Sequence, residues 1–249
     1  MKKNKWYLHP AFYIVIILYF ILGFSTLLFG EKWGNLFFLE DTYFENVGAL
    51  SLGIAAVISF YIFVLALKNR KTTNFHWFKL LVYLGLAFLY FFGAGEEISW
   101  GQRIFNIPQP EVLADENVQE ELNIHNLAVF EDSDLLKADN IFTVFWVGFA
   151  VLLPALSLAS KGFREFIEKL TPIVHWDIGL LFIFNYLAAQ LAKPIFHSFY
   201  SYKTITFTQA VQEVKESNYE VLFIFLSLAV LWDLHRLIED KTAAPAKQN

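Results

Sequence analysis

Six long, nearly uncharged stretches of the sequence limit the folds that this chain can adopt. They are bounded by charged or turn residues and cover residues 10–29, 46–67, 80–95, 140–160, 178–192 and 221–232. A helix needs about 20 apolar residues to cross the hydrocarbon of a bilayer, and the first, second and fourth stretches meet that length. Since 56% of all residues are hydrophobic, the sequence predicts a multi-pass membrane protein.

The predicted fold class is all-α: a polytopic transmembrane helix bundle of about six spans, in one domain covering residues 1–249. The shorter stretches cross only if the polar residues at their ends lie inside the bundle or reach the interface. With those ends included, the expected spans are residues 10–29, 46–67, 78–98, 140–160, 177–194 and 219–238. Pro154 is expected to kink the fourth span and Pro194 to end the fifth. Residues 217–220 have the spacing of a capping box, which predicts the start of the sixth span.

The basic residues predict the orientation in the membrane. Thirteen of the 19 Lys and Arg residues lie in the N-terminal segment, residues 68–79, residues 161–169 and the C-terminal tail. Because cytoplasmic loops are enriched in Lys and Arg, both termini are predicted to be cytoplasmic, in the inner membrane of a bacterial cell. The net charge of −5 argues against nucleic acid as a partner, and the absence of cysteine excludes disulfides and thiolate chemistry.

The largest extra-membrane segment is then an outer loop at residues 104–139. Two prolines, Pro108 and Pro110, favour an extended start, and Asn117-Val-Gln-Glu120 has the spacing of a capping box. A short amphipathic helix is therefore predicted to run from Asn117 to about Val129 and to cover the mouth of the bundle.

Two adjacent carboxylates, Glu96 and Glu97, end the third apolar stretch. An ionisable group at membrane depth costs about 2.5 kcal/mol or more unless it is paired or hydrated, so the pair is a candidate functional site. Small residues one turn before Glu97 let another helix approach, which predicts that Glu97 faces a helix interface and Glu96 a neighbouring cavity. If the helix continues through Arg103, then Glu96, Ser99, Trp100 and Arg103 share one face.

The candidate catalytic residues are Glu96, Glu97 and Arg103, and the candidate metal ligands are Glu96, Glu97, His125 and His197. Carboxylate and imidazole groups together suit Zn²⁺, Mn²⁺ or Fe²⁺ with a bound water that attacks an ester or phosphoester. A metal-free site is the alternative, with one Glu as general base and Arg103 or Lys193 stabilising negative charge. The competing interpretation is structural pairing of a Glu with Arg103 or Lys193.

Three functions fit this pattern. The first is an outer-face hydrolase or transferase acting on a membrane lipid or lipid-linked substrate. The second is an ion- or proton-coupled transporter or channel, in which Glu97, Asn185 and Lys193 form a relay. The third is a non-catalytic subunit of a membrane complex. Charges cluster at one face of the membrane and only Asn185 lies deep, which favours the enzyme.

The pattern Gly95-Glu-Glu-Ile-Ser-Trp-Gly-Gln-Arg103 followed by Asn123-Ile-His-Asn126 resembles an uncharacterised family of bacterial multi-pass membrane proteins. The resemblance implies a shared outer-face site at Glu96, Glu97, Arg103 and His125, without naming a reaction. The Glu pair also resembles that of the CAAX-type membrane proteases as a distant analogy. Here, however, Arg103 follows the pair after five residues instead of three.

Overall fold

The computed structural model describes residues 5–30, 36–38, 42–108, 138–196 and 207–243. These residues are almost entirely helical and contain no strand. The main helices, numbered in chain order, are α1 (Pro10–Ser25, extended by a 3₁₀ turn at Thr26–Phe29), α2 (Tyr43–Lys68), α3 (Trp77–Glu97), α4 (Ala138–Trp146, π-helical Val147–Leu152 and Leu153–Ala159), α5 (Lys161–Leu170), α6 (Trp176–Phe196) and α7 (Phe207–Ala243).

Within the described residues, six helical segments are long and apolar enough to cross a membrane. They are Pro10–Phe29, Tyr43–Lys68, Trp77–Glu97, Asn140–Ala159, Trp176–Ile195 and Thr208–Ala243. The all-α, polytopic fold class is therefore confirmed, and the chain is a multi-pass integral membrane protein. The amphipathic helix expected at residues 117–129 lies outside the described residues and stays a prediction.

The last span begins earlier than the sequence analysis predicted. Helix α7 starts at Phe207, so Ser217 lies well inside it and the capping box expected at residues 217–220 is wrong. The extra turns are held by packing, because Ala210, Val211 and Val214 are buried against a cluster that includes Leu27 of α1 and Ala189 of α6. This tertiary contact outweighs the local capping signal.

Helix α7 packs centrally, and its aromatic residues join three neighbouring helices. The Tyr219 ring stacks on Trp146 of α4 at 5.3 Å and on Phe182 of α6 at 5.6 Å between centroids. One turn further on, Phe223 lies 5.0 Å from Tyr90 of α3. Such ring pairs add about 0.5–1.5 kcal/mol each beyond area burial. Apolar residues on the opposite faces stay exposed, as expected for surfaces that contact lipid.

Pro154 disturbs the helix of α4 as predicted. The disturbed turn is also the place where α4 lies very close to α6. Pro154 has no backbone N–H to donate to the Ala150 carbonyl one turn earlier, and the preceding turn is π-helical. The Ala150 carbonyl oxygen instead lies against Gly179 of α6, where a Cβ atom would overlap it. Helices α4 and α6 therefore approach closely at this point. Pro194 acts more weakly than predicted, because α6 continues past it to Phe196.

Since successive spans alternate in direction, the bundle has an acidic and a basic end. The acidic end carries the side chains of Glu45, Glu96, Glu97, Glu213, Glu216 and Glu220, and the basic end those of Lys68, Arg70, Lys71, Lys79, Lys161, Arg164 and Lys169. At the basic end, the Asp233 carboxylate of α7 accepts from the Lys5 ammonium at 3.0 Å and from the Tyr7 hydroxyl at 2.6 Å. Burial and this carboxylate raise the pKa of Tyr7 above its usual range, so its hydroxyl remains a donor.

Candidate functional site

Helix α3 stops at the glutamate pair. Its last residue is Glu97, and the next turn contains three residues with left-handed backbone, namely Ser99 (φ 46°), Trp100 (φ 53°) and Gly101 (φ 78°). A short helix, Gln102–Phe105, follows in a new direction. The expectation of one continuous helical face from Glu96 to Arg103 is therefore wrong. Left-handed backbone is unfavourable for non-glycine residues, and its concentration beside a carboxylate pair marks a candidate site.

The turn folds Trp100 back over the end of α3. Its indole N–H donates to Glu96 Oε1 at 2.5 Å, and its ring covers Gly95, where a Cβ atom would lie only 2.8 Å from the ring. Glu96 is 6% exposed, so the indole supplies a hydrogen bond to a carboxylate with little access to water. The ring also packs edge-on against Phe92 at 5.4 Å. Trp100 thus both orients Glu96 and covers it.

Glu97 faces α7 and meets a second carboxyl group there. Its side chain is half-buried and lies in hydrogen-bonding contact with that of Glu220, which is only 4% exposed. On the far side, Glu220 lies against Gly48 of α2, where a Cβ atom would overlap the carboxyl group. Helices α2, α3 and α7 therefore enclose a Glu97–Glu220 pair. The expectation that Glu97 faces a helix interface agrees with this arrangement.

Two further glutamates lie on the same face of α7. Glu216 and Glu213 precede Glu220 by about one and two turns, and the carboxylates of both act electrostatically on Glu220. The Gln212 side-chain amide donates to Glu216, and the Lys215 ammonium donates to Gln212 Oε1 at 2.6 Å. The acidic end therefore concentrates negative charge around the Glu97–Glu220 pair, which favours protons and cations there.

Two buried asparagines, one of them two residues before Glu220, form a second polar contact inside the bundle. Asn218 and Asn185 are both fully buried, and the Asn218 amide donates to Asn185 Oδ1 at 2.9 Å. The Asn185 amide in turn donates to the backbone carbonyl of Lys215 at 2.8 Å. In the described part of the chain, Asn218 Oδ1 has no hydrogen-bond partner, and the neighbouring Ser217 hydroxyl lies beside that of Tyr19. Polar capacity therefore remains unused inside the bundle.

The predicted site residues are only partly accounted for. Glu96 and Glu97 lie together at the acidic end, where Glu96 contacts Trp100 and Glu97 contacts Glu220. The helical face predicted to run from Glu96 to Arg103 does not form. The backbone of Arg103 lies in the short helix that follows. His125 and His197 lie outside the described residues. No group of three metal-ligating side chains occurs among the residues that are described, so the metal site stays a prediction.

Glu220 and Gly48 are the residues that sequence reasoning missed as site components. Glu220 lies at the boundary of the sixth apolar stretch, where the sequence predicts a helix cap and a polar end inside the bundle or at the interface. The available signal was that a carboxylate at this depth needs a partner, as Glu97 does. Gly48 carried no signal, because its role depends on the helix packed against it.

Comparison with known proteins adds no functional constraint. No family model matches the chain, no curated protein is similar to it, and no solved structure matches its fold.

Proposed function

We propose that the protein is a membrane-embedded hydrolase or transferase that acts on an ester or phosphoester of a lipid or lipid-linked substrate. The observation that carries the proposal is the Glu97–Glu220 carboxyl pair, enclosed by three spanning helices at one end of the bundle. In this proposal the two carboxyl groups share one proton, because two adjacent carboxylates would repel each other. The protonated carboxyl group can then act as a general acid and the ionised one as a general base.

Such a pair can serve both halves of a hydrolysis. The carboxylate accepts a proton from water as the water oxygen attacks the ester carbon or phosphorus. The carboxylic acid donates its proton to the leaving alcohol oxygen as the ester bond breaks. The products are an acid and an alcohol, and the pair again carries one proton. In a transferase, an acceptor hydroxyl takes the place of water.

The surroundings of the pair suit a substrate that arrives from the bilayer. Trp100 and Phe91 are 37% and 58% exposed and contact each other at 6.2 Å, beside Glu96. Aromatic rings of this kind concentrate at membrane interfaces. Arg103 follows directly and is proposed to bind an anionic group of the substrate. His125 and His197 are proposed to join Glu96 and Glu97 if Zn²⁺, Mn²⁺ or Fe²⁺ supplies the nucleophilic water.

The proposal is tested with purified protein in liposomes of phosphatidylethanolamine and phosphatidylglycerol, with products measured by mass spectrometry. Glu97→Gln and Glu220→Gln keep the side-chain volume but remove the proton carrier, so product formation should fall about 100-fold or more. Glu165→Gln is the control, because Glu165 is an exposed residue at the opposite end of the bundle. Lipids left intact by the wild type, or full activity in both variants, would contradict the proposal.

Proton-coupled transport is the second candidate, favoured by the buried polar residues of α6 and α7. Asn185 and Asn218 lie inside the bundle, and the unused acceptor of Asn218 and the hydroxyl of Ser217 could carry protons beyond Glu220. In proteoliposomes with an enclosed pH-sensitive dye, an imposed pH gradient should then collapse faster than in empty liposomes. Asn218→Leu should abolish that flux while leaving lipid hydrolysis intact. An unchanged gradient would exclude this candidate.

A further inference from the structure

A large cleft opens at the basic end, across the bundle from the glutamates. Its volume is about 1270 Å³, and it is bordered by α3, α4, α5 and α7. That volume exceeds the roughly 300–1,000 Å³ typical of small-molecule sites. Its lining includes the cationic groups of Arg70, Arg164 and Lys169 but also acidic groups such as Glu165 and Asp240, and basic residues outnumber acidic ones by six to four. Leu158 and Val230 contribute apolar lining. A lining that combines a net positive charge with apolar side chains matches an amphiphile with an anionic head.

Lys79 is the most informative residue of this cleft. It lines the cleft in the first turn of α3, and only 8% of its surface is exposed. Its ammonium donates to the Glu168 carbonyl oxygen at 2.7 Å and lies 4.9 Å from the centre of the Phe75 ring. Within the described residues it forms no ion pair. The Glu168 carboxylate attracts the ammonium without forming an ion pair with it, and among these residues only one of the three ammonium donors is used, so two donors remain for a ligand.

A second buried group points to the same ligand. Ser157 of α4 lines the cleft, is 5% exposed, and has a hydroxyl without a hydrogen-bond partner in the described part of the chain. In addition, Lys79 lies at the N-terminal end of α3, where the helix dipole disfavours a cation and favours an anion. An oxyanion bound in this part of the cleft would give the ammonium, the hydroxyl and the helix terminus a favourable partner.

The cleft also lies at the level expected for lipid headgroups. Helix α5 borders it and is strongly amphipathic, with Phe166 58% exposed. Trp77 and Trp176, at the starts of α3 and α6, are 53% and 44% exposed at the same end. An amphipathic helix and exposed tryptophans together mark the membrane interface. At this level, a phospholipid of the adjacent leaflet would reach the cleft without leaving the membrane.

We infer that the cleft at the basic end binds the phosphate group of an anionic phospholipid, with Lys79 and Ser157 as its deepest contacts. This site is independent of the chemistry proposed for the acidic end.

Thermal unfolding in a neutral detergent tests the inference, because a ligand that binds only the folded state raises the melting temperature. The probes are short-chain phosphatidylglycerol, short-chain phosphatidylcholine and inorganic phosphate. Phosphatidylglycerol should raise the melting temperature more than phosphatidylcholine. A comparable rise with inorganic phosphate would show that the phosphate group alone suffices, whereas no rise with it would show that the lipid chains are needed. Equal responses to both lipids, or no response to any probe, would overturn the inference.

Lys79→Met gives the sharper result. Met retains the apolar stem and removes the buried charge, so the melting temperature without ligand should stay the same or rise. The affinity for phosphatidylglycerol should fall about tenfold or more, because a charge-assisted hydrogen bond is lost. Lys161→Met is the control, since Lys161 is almost fully exposed at the same end but outside the cleft.

Ser157→Ala keeps the inference testable if Lys79→Met does not fold. It removes the unpartnered hydroxyl and should weaken phosphatidylglycerol binding without lowering the basal melting temperature. Undiminished binding in the folded variants at both positions would show that the phosphate does not reach the cleft.

Discussion

The carboxyl group of Glu220 occupies the space in which a side chain at Gly48 would begin. A Cβ atom on Gly48 would overlap one carboxyl oxygen and lie 2.8 Å from the carboxyl carbon. Helix α2 thus leaves room for the carboxyl group that α7 presents to Glu97. The glycine determines where the buried member of the pair can lie, even though it contributes no polar atom of its own.

Replacing Gly48 with alanine should therefore displace Glu220. An alanine normally stabilises a helix interior by about 1 kcal/mol relative to glycine, but overpacking costs about 1–3 kcal/mol. We expect Gly48→Ala to lower the free energy of unfolding and to abolish any activity that needs the pair. Gly53→Ala, in the same helix with open space around it, should be neutral or slightly stabilising. Unfolding in a mild detergent measures both, and equal stability of the two variants would contradict this packing.

Gly179→Ala should destabilise the contact between α4 and α6. The added Cβ would overlap the Ala150 carbonyl oxygen, which belongs to the backbone and moves less easily than a side chain. We expect a loss of about 1–3 kcal/mol. Gly85→Ala in α3, where no atom lies within 4 Å, is the matched control. A variant at Gly179 that melts with the wild type would show that the two helices are further apart.

Trp100→Phe should remove the hydrogen bond to Glu96 while keeping an aromatic ring over the end of α3. The ring contact with Phe92 can persist, whereas the indole donor to the carboxylate is lost. Loss of a hydrogen bond to a buried charged group costs about 1.5–3 kcal/mol. In a double-mutant cycle with Glu96→Leu, the two effects should be less than additive, because each change removes the same bond. Additive melting shifts would instead indicate that the two residues do not interact.

The proposed orientation is testable because the chain contains no cysteine. Thr208, in the first turn of α7, lies at the acidic end, and Lys161 lies at the basic end; both are exposed. If both termini are cytoplasmic, Thr208→Cys should react with an impermeant thiol reagent in intact bacterial cells. Lys161→Cys should react only after lysis. The reverse pattern would place the glutamates on the cytoplasmic side.

Sequence reasoning reached the spans and part of the site for one physical reason: both depend on local composition. The length and hydrophobicity of a stretch such as residues 46–67 determine a spanning helix without reference to its neighbours. Likewise, the small residues before Glu97 indicated a close helix contact. The sequence alone does not identify the partner of Glu97, because Glu220 approaches it through tertiary packing between distant parts of the chain.

The errors have the same origin. A capping box at residues 217–220 is a valid local signal, but the packing of Val211 and Val214 extends the helix beyond it. The turn after Glu97 requires left-handed backbone at Ser99 and Trp100, which no local propensity favours. Its cost is offset by the Trp100 contacts with Glu96 and Gly95, and these are visible only in three dimensions.

The central position of α7 also bears on how the protein is made. Helix α7 follows the other helices in the chain, and it supplies Glu220 to Glu97, Asn218 to Asn185 and Asp233 to Lys5. During synthesis, the earlier segments enter the bilayer before these partners have left the ribosome. Until α7 has entered the bilayer, the earlier helices therefore lack the contacts that its polar side chains supply.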